Sequence, residues 1–264
     1  MHPVLFYFGA FRIYSYGVLI AIGGVASVFF WKSRRIRMGL DSEDDLWLLV
    51  NVLLISGFAG GRLLYLFEDV GVRSPAFWTS VFSIDSGFAV MGAFVAVLAS
   101  IYFFCRWKNI PFFQITDYLC LAAPFWQFFG RLGCFMAGCC FGLPVAYPWP
   151  WAVTFRDPRS LVNPLFLGRP IHPTQLYEAF GDLAIGLALY FGVIDRVERG
   201  ELPRGTICAA YLAAYAVLRF MIEFYRGDVT MLPIGITVAQ AFCLGLLTLS
   251  TGIFLAIRKK NRRT

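Results

Sequence analysis

Three arginines stand inside long apolar runs of this chain: Arg62, Arg131 and Arg219. Each falls about 15 or 16 residues from the start of its run, so at a helical rise of about 1.5 Å per residue all three reach one depth, roughly 23 Å from the boundary where the run begins and in the far third of the bilayer. An arginine at the centre of a spanning helix costs at least ~2.5 kcal/mol. One alone can snorkel to an interface, but three at matched depth point to a shared anionic partner. In a bilayer that partner is a lipid phosphate, which a guanidinium can grip through two oxygens without losing its own proton. Glu223 and Arg226 follow Arg219 at i+4 and i+7 and share its helix face. Tyr16, Tyr65, His172, Gln175, Tyr177 and Glu178 fall at the same level. Glycines precede Arg62 (Gly57, Gly60, Gly61) and surround Arg131 (Gly130, Gly133, Gly138, Gly142), where small residues admit either a neighbouring helix or a bulky headgroup.

These residues need a scaffold that spans a membrane, and the composition supplies one. Of 264 residues 59% are hydrophobic and only 15% charged, against about 25% charged in soluble domains. The apolar residues fall in blocks of about 17 to 25, long enough to cross the hydrocarbon core. The pattern predicts an all-α integral membrane protein with seven transmembrane helices, over 16–31, 46–67, 88–105, 115–141, 177–195, 204–226 and 233–257. Fourteen Lys and Arg fall on one side of these spans and six on the other, which predicts the N-terminus outside and the C-terminus cytoplasmic. The polar set then faces outward. The first run has no basic segment before it and no small-residue cleavage site after it, so it is expected to stay as the first helix.

The net charge of +7 sits in loops that orient helices, so no nucleic-acid partner is expected. Residues 1–264 read as one polytopic membrane domain, in which 142–176, rich in Pro and Trp, forms an outer cap. No inverted repeat is visible, which argues against a transporter built from two such halves.

Three stretches resemble the prolipoprotein diacylglyceryl transferase family: Gly130-Arg131-Leu132-Gly133-Cys134-Phe135-Met136-Ala137-Gly138-Cys139-Cys140-Phe141-Gly142; His172-Pro173-Thr174-Gln175-Leu176-Tyr177-Glu178; and Tyr215 with Arg219, Phe220, Glu223, Phe224 and Arg226. The Met1-His2-Pro3 start, Tyr16-Gly17 and Gly60-Gly61-Arg62 fit in order. The resemblance implies a transferase of the bacterial inner membrane. Its partners would be phosphatidylglycerol and an exported preprotein, whose lipobox cysteine becomes a thioether as glycerol phosphate leaves. By position Arg131 resembles the headgroup arginine of the family, and Arg219 the second essential arginine with Glu223 as its partner. Tyr16, Tyr215 and Gly142 match further positions. Arg62, His172, Gln175, Tyr177 and Glu178 are expected to bind lipid or substrate. No cofactor is implied.

The chain also departs from that signature. Cys134 and Cys139 stand where the family has asparagine and glutamate, and Met91 where its third-helix motif has histidine. Met91 takes no proton, so a thiol base would have to come from elsewhere. His172 and Glu223 are the alternatives, and Cys139 is a third group to weigh, as a thiolate nucleophile. A metal site at Cys134, Cys139 and Cys140 is not expected: on a continuous helix Cys134 and Cys139 stand about 140° apart and Cys139 and Cys140 about 100°, and no second Cys/His pair completes a tetrahedron. A working transferase, a divergent paralogue acting on another acceptor and a non-catalytic binder of anionic lipid all remain open.

Overall fold

A short hairpin, β1 (Val4–Phe8) and β2 (Phe11–Tyr14), leads into α1 (Ser15–Arg34) and α2 (Glu43–Tyr65), which runs on through a π-helical turn (Leu66–Val70). There follow α3 (Val90–Lys108), α4 (Phe112–Ala137), the paired strands β3 (Val153–Thr154) and β4 (Pro170–Ile171), α5 (Thr174–Gly192), α6 (Ile194–Glu198), α7 (Thr206–Glu223) and α8 (Val238–Asn261). The structure is a computed structural model that describes residues 4–8, 11–70, 87–145 and 149–261. The Met1-His2-Pro3 start, Arg73, Pro148, Arg262 and Arg263 lie outside the described residues.

Among the described residues six helices are long and apolar enough to cross a membrane: α1, α2 with its extension, α3, α4, α7 and α8. The chain is an all-α membrane protein. The helix expected at 177–195 forms as α5, three residues early, but it falls short of that apolarity. Its inward face carries Gln175, Glu178 and Asp182, all buried. Large side chains such as Val25, Phe29, Phe191 and Leu255 are exposed, as expected where lipid rather than protein covers a helix.

Two compact units form, Trp31–Thr116 and Met1–Phe30 with Asp117–Thr264. In the first, Ser42 opens α2 with a capping box: its hydroxyl accepts from Asp45 N–H, and the Asp45 carboxylate accepts from Ser42 N–H. This cap is worth about 1 kcal/mol. Helices α2 and α3 meet at glycines. A Cβ on Gly60 would fall on Ala96 and the Gly92 carbonyl, and a Cβ on Gly92 would fall on the Gly60 carbonyl and Leu64. The backbones therefore touch, and Ser56 and Ser100 share a 3.0 Å hydrogen bond. At the end of α2, Arg62 is buried, donates to the Gly87 carbonyl at 3.0 Å and lies over the Tyr65 ring.

In the second unit, α1 meets α4 through the same device, Gly23 under Trp126 and Phe129 and Gly133 under Tyr16. Gly205, with a φ of 96° that glycine adopts freely, stands just before the start of helix α7. Its open N–H groups are taken by a carboxylate from α4: Asp117 accepts from Gly205 N–H at 2.6 Å and Cys208 N–H at 2.9 Å. Ala216, Cys243 and Leu246 join α7 to α8, and the Ser250 hydroxyl donates to the Ala209 carbonyl. The segment between α4 and α5 has a core of its own, Phe141, Phe155, Val162 and Ile171.

The Gly60–Gly92 contact makes a direct test. A Gly92→Val side chain would be pressed into the α2 backbone, an overpacking that costs about 1–3 kcal/mol. The melting temperature in detergent should fall for this variant, and an unchanged value would show that the two helices do not touch there.

Candidate functional site

Helix α4 ends at Ala137, four residues before the expected 141. Gly138 takes a φ of 83° and Cys140, without a glycine's freedom, a φ of 58°. The chain turns sharply there and is held by the first turn of α5. The Thr174 hydroxyl donates to the Cys140 carbonyl and the Gln175 amide to the Cys139 carbonyl, each at 2.8 Å. The His172-to-Glu178 stretch is thus a brace for the turn that follows Arg131.

One turn along α5 from Thr174, Glu178 is only 1% exposed and carries two arginines. Its Oε1 accepts from Arg131 Nη2 at 2.6 Å, and Arg219 Nε lies 3.8 Å from the same oxygen. Arg219 is also bonded to Glu223, at i+4 on α7. The structure therefore brings Arg131, Arg219 and the buried Glu178 and Glu223 into one charge network, with Tyr215 in electrostatic reach of Arg131, Arg219 and Glu178. Tyr16 packs on Gly133, the glycine two residues after Arg131. Arg62 belongs to the other unit, with the partners described above.

Gly142 forms an isolated β-bridge with Arg226, and a Cβ there would land on the His172 carbonyl. Only glycine fits that close backbone approach. Arg226 forks onto Asp228 at 2.8 and 2.7 Å. Tyr177 accepts from Trp151 Nε1 at 2.9 Å and meets His172 Nδ1 at 3.2 Å. Trp149 and Tyr225 close an aromatic group around His172. Burial pushes the His172 imidazole below its usual range, so it favours the neutral form.

The cysteines do not lie as a continuous helix would place them. Because the backbone turns at Gly138 and Cys140, the Sγ atoms of Cys134, Cys139 and Cys140 all fall within 4.8 Å of one another. The expectation that they diverge is overturned. The Cys140 thiol is pushed well below its usual value by hydrogen bonding from Cys134 and Cys139, with Arg131 and Arg226 adding positive charge.

Asp182 escapes a reading that starts from the arginines. It lies one turn beyond Glu178 on the same face, is wholly buried, and neither carboxylate oxygen has a hydrogen-bond partner among the described residues. The sequence does carry a signal for it, since an acid at i+4 from Glu178 in an apolar helix must face the interior.

Two tests follow from this geometry. Glu178→Ala leaves two largely covered guanidinium groups without the buried carboxylate they share, a loss of up to about 3–5 kcal/mol. The exposed Glu201→Ala, which frees Arg196 and Arg199, should change stability by less than about 1 kcal/mol. Comparable melting temperatures for the two variants would refute the network. His172 sets a pH dependence. Its folded pKa lies below the ordinary 6.5, so the unfolded chain binds more protons as pH falls through that value. The stability is present above 6.5 and is lost below it. Melting temperatures of wild type and His172→Gln, measured from about pH 8 down to 5, should diverge at the acid end, the wild type falling further.

Comparison with known proteins gives the family. The family model for prolipoprotein diacylglyceryl transferase matches residues 3–257. A relative from Clostridium tetani, named phosphatidylglycerol–prolipoprotein diacylglyceryl transferase, is 31% identical over 261 residues, covering 97% of this chain and 96% of its own. Relatives of the same name from Idiomarina loihiensis and a Synechocystis strain are each 32% identical, over 98% of this chain and 94% and 91% of theirs. A match of this extent and similarity places the chain in the prolipoprotein diacylglyceryl transferase family.

Proposed function

We propose that this protein transfers the diacylglyceryl group of phosphatidylglycerol to the thiol of a lipobox cysteine in an exported preprotein. One observation carries the reading beyond the names of the relatives: the buried Glu178 holds Arg131 and Arg219, both partly buried, together in an apolar chain. Two guanidinium groups kept in that setting form an anion site. A phosphate there would share their donors with Glu178.

In this reaction the acceptor sulfur attacks the glyceryl carbon that bears the phosphate. The carbon–oxygen bond breaks, and glycerol phosphate leaves with the electron pair. Charge builds on the departing phosphate oxygen, and arginines already in place stabilise it without rearrangement. Arg131 and Arg219 take that role, and Glu178 and Glu223 hold them in position. Tyr16, Tyr215, Gly142, His172, Gln175 and Tyr177 are assigned to shaping the lipid and substrate binding region, and Arg62, in the other unit, to lipid binding by itself. The seven apolar blocks support seven spans in a single polytopic domain, and the excess of Lys and Arg on one side supports an outside N-terminus, a cytoplasmic C-terminus and a site toward the outer leaflet of the bacterial inner membrane.

The test uses purified full-length protein in detergent, phosphatidylglycerol and a lipobox peptide, with mass spectrometry of the peptide. A diacylglyceryl adduct on its cysteine is expected. Arg131→Ala should slow its formation by about 100- to 1,000-fold, as for loss of one charge-stabilising donor. Binding of phosphatidylglycerol without an adduct would move the function to another acceptor or to lipid binding alone.

A further inference from the structure

Transfer to a thiol requires the thiolate, yet the bases at this site are engaged. Glu178 is bonded to Arg131 and near Arg219, Glu223 is bonded to Arg219, and His172 meets the Tyr177 hydroxyl. Asp182 has no hydrogen-bond partner among the described residues but is wholly enclosed. Within the same unit stand three cysteine sulfurs within 4.8 Å of one another, with no fourth His, Cys, Asp or Glu joining them among the described residues. We propose that Cys134, Cys139 and Cys140 hold a zinc ion, and that its open fourth position takes the acceptor cysteine of the preprotein as a thiolate. This role rests on the transferase reading; the metal site itself does not.

The geometry suits the ion. Zinc–sulfur bonds of about 2.3 Å place the sulfurs of a tetrahedral site about 3.8 Å apart, so closing the cluster takes a shift of about 1 Å or less at each sulfur. The backbone is already turned for it. Gly138 and Cys140 have positive φ, and Thr174 and Gln175 hold the carbonyls of Cys140 and Cys139. Thiolate donors select soft or borderline ions, and three protein ligands with one open position is the pattern of catalytic rather than structural zinc. Zinc with three thiolates carries a net charge of −1, and a fourth thiolate makes it −2. Arg131 and Arg226, both in electrostatic reach of Cys140, offset that charge. A thiol entering the fourth position gives its proton to water. Its sulfur then forms the bond to the glyceryl carbon as glycerol phosphate departs, and the thioether, a weaker ligand, is released.

The experiment uses the full chain, purified anaerobically in detergent. Wild type should retain about one zinc per chain; Cys139→Ser should lose it, and Cys105→Ala, whose cysteine is buried in the other unit, should keep it. Replacing zinc with cobalt(II) should give a sulfur-to-cobalt charge-transfer band that strengthens on adding a lipobox peptide and not its Cys→Ser analogue. Adduct formation should stop on chelation and return with zinc. Absence of metal and of the band, or cysteines recovered as a disulfide, would overturn the site. A band indifferent to the peptide, with adduct formation surviving chelation, would overturn the thiol-binding role and leave the transferase standing. Metal binding with no adduct under any condition would instead sink the transferase reading, and the thiol role with it.

Discussion

Glu178 is the constraint around which this site is arranged. A guanidinium in the apolar part of a membrane protein needs a counter-charge whether or not substrate is present, because the low dielectric penalises it continuously. One carboxylate, almost wholly buried, serves Arg131 and lies near Arg219. Arg131 uses one of its five N–H donors there and remains partly exposed. The site is therefore tolerable when empty and still has donors for an anion.

The position of Glu178 explains the shape of α5. Thr174, Gln175, Glu178 and Asp182 follow one another at helical spacing and are all buried. The first two of these residues hold the turn after α4, the third holds the arginines, and the fourth lies deeper on the same face. That inward polar stripe is why α5 has less apolar character than its neighbours. An interior occupied by side chains of function is incompatible with a uniformly apolar helix, and outward residues such as Phe180 and Phe191 carry the lipid contact instead.

Much of this is legible in the amino-acid sequence. The apolar blocks predict α1 to α5, α7 and α8 to within a few residues at most ends, because lipid contact demands long apolar runs and little else mimics them. Equal depth correctly associates Arg131 with Arg219, and i+4 spacing correctly joins Arg219 to Glu223. What stays hidden is pairing between helices distant in sequence. Asp117 capping α7 from α4 is one example, since neither helix alone shows that its N–H groups lack a local cap. Glu178 is expected to touch substrate, and the structure gives it a second duty as the counter-charge for Arg131.

The cysteines show where periodicity stops being a guide. An angle between positions along a helix holds only while the helix continues, and the run after Arg131 stays apolar beyond the helix end. Hydropathy alone extends α4 through Phe141. The stop lies in Gly138, whose left-handed backbone ends the helix as glycine commonly does, and in the hydrogen bonds from Thr174 and Gln175 that draw the chain aside. Once the backbone reverses, Cys139 and Cys140 face Cys134 instead of standing around a cylinder from it. A glycine in such a run can be read as a tight helix contact or as an end, and the apolar pattern favours the first. Here the second holds, and it places three thiols beside the arginines that an anionic lipid would seek.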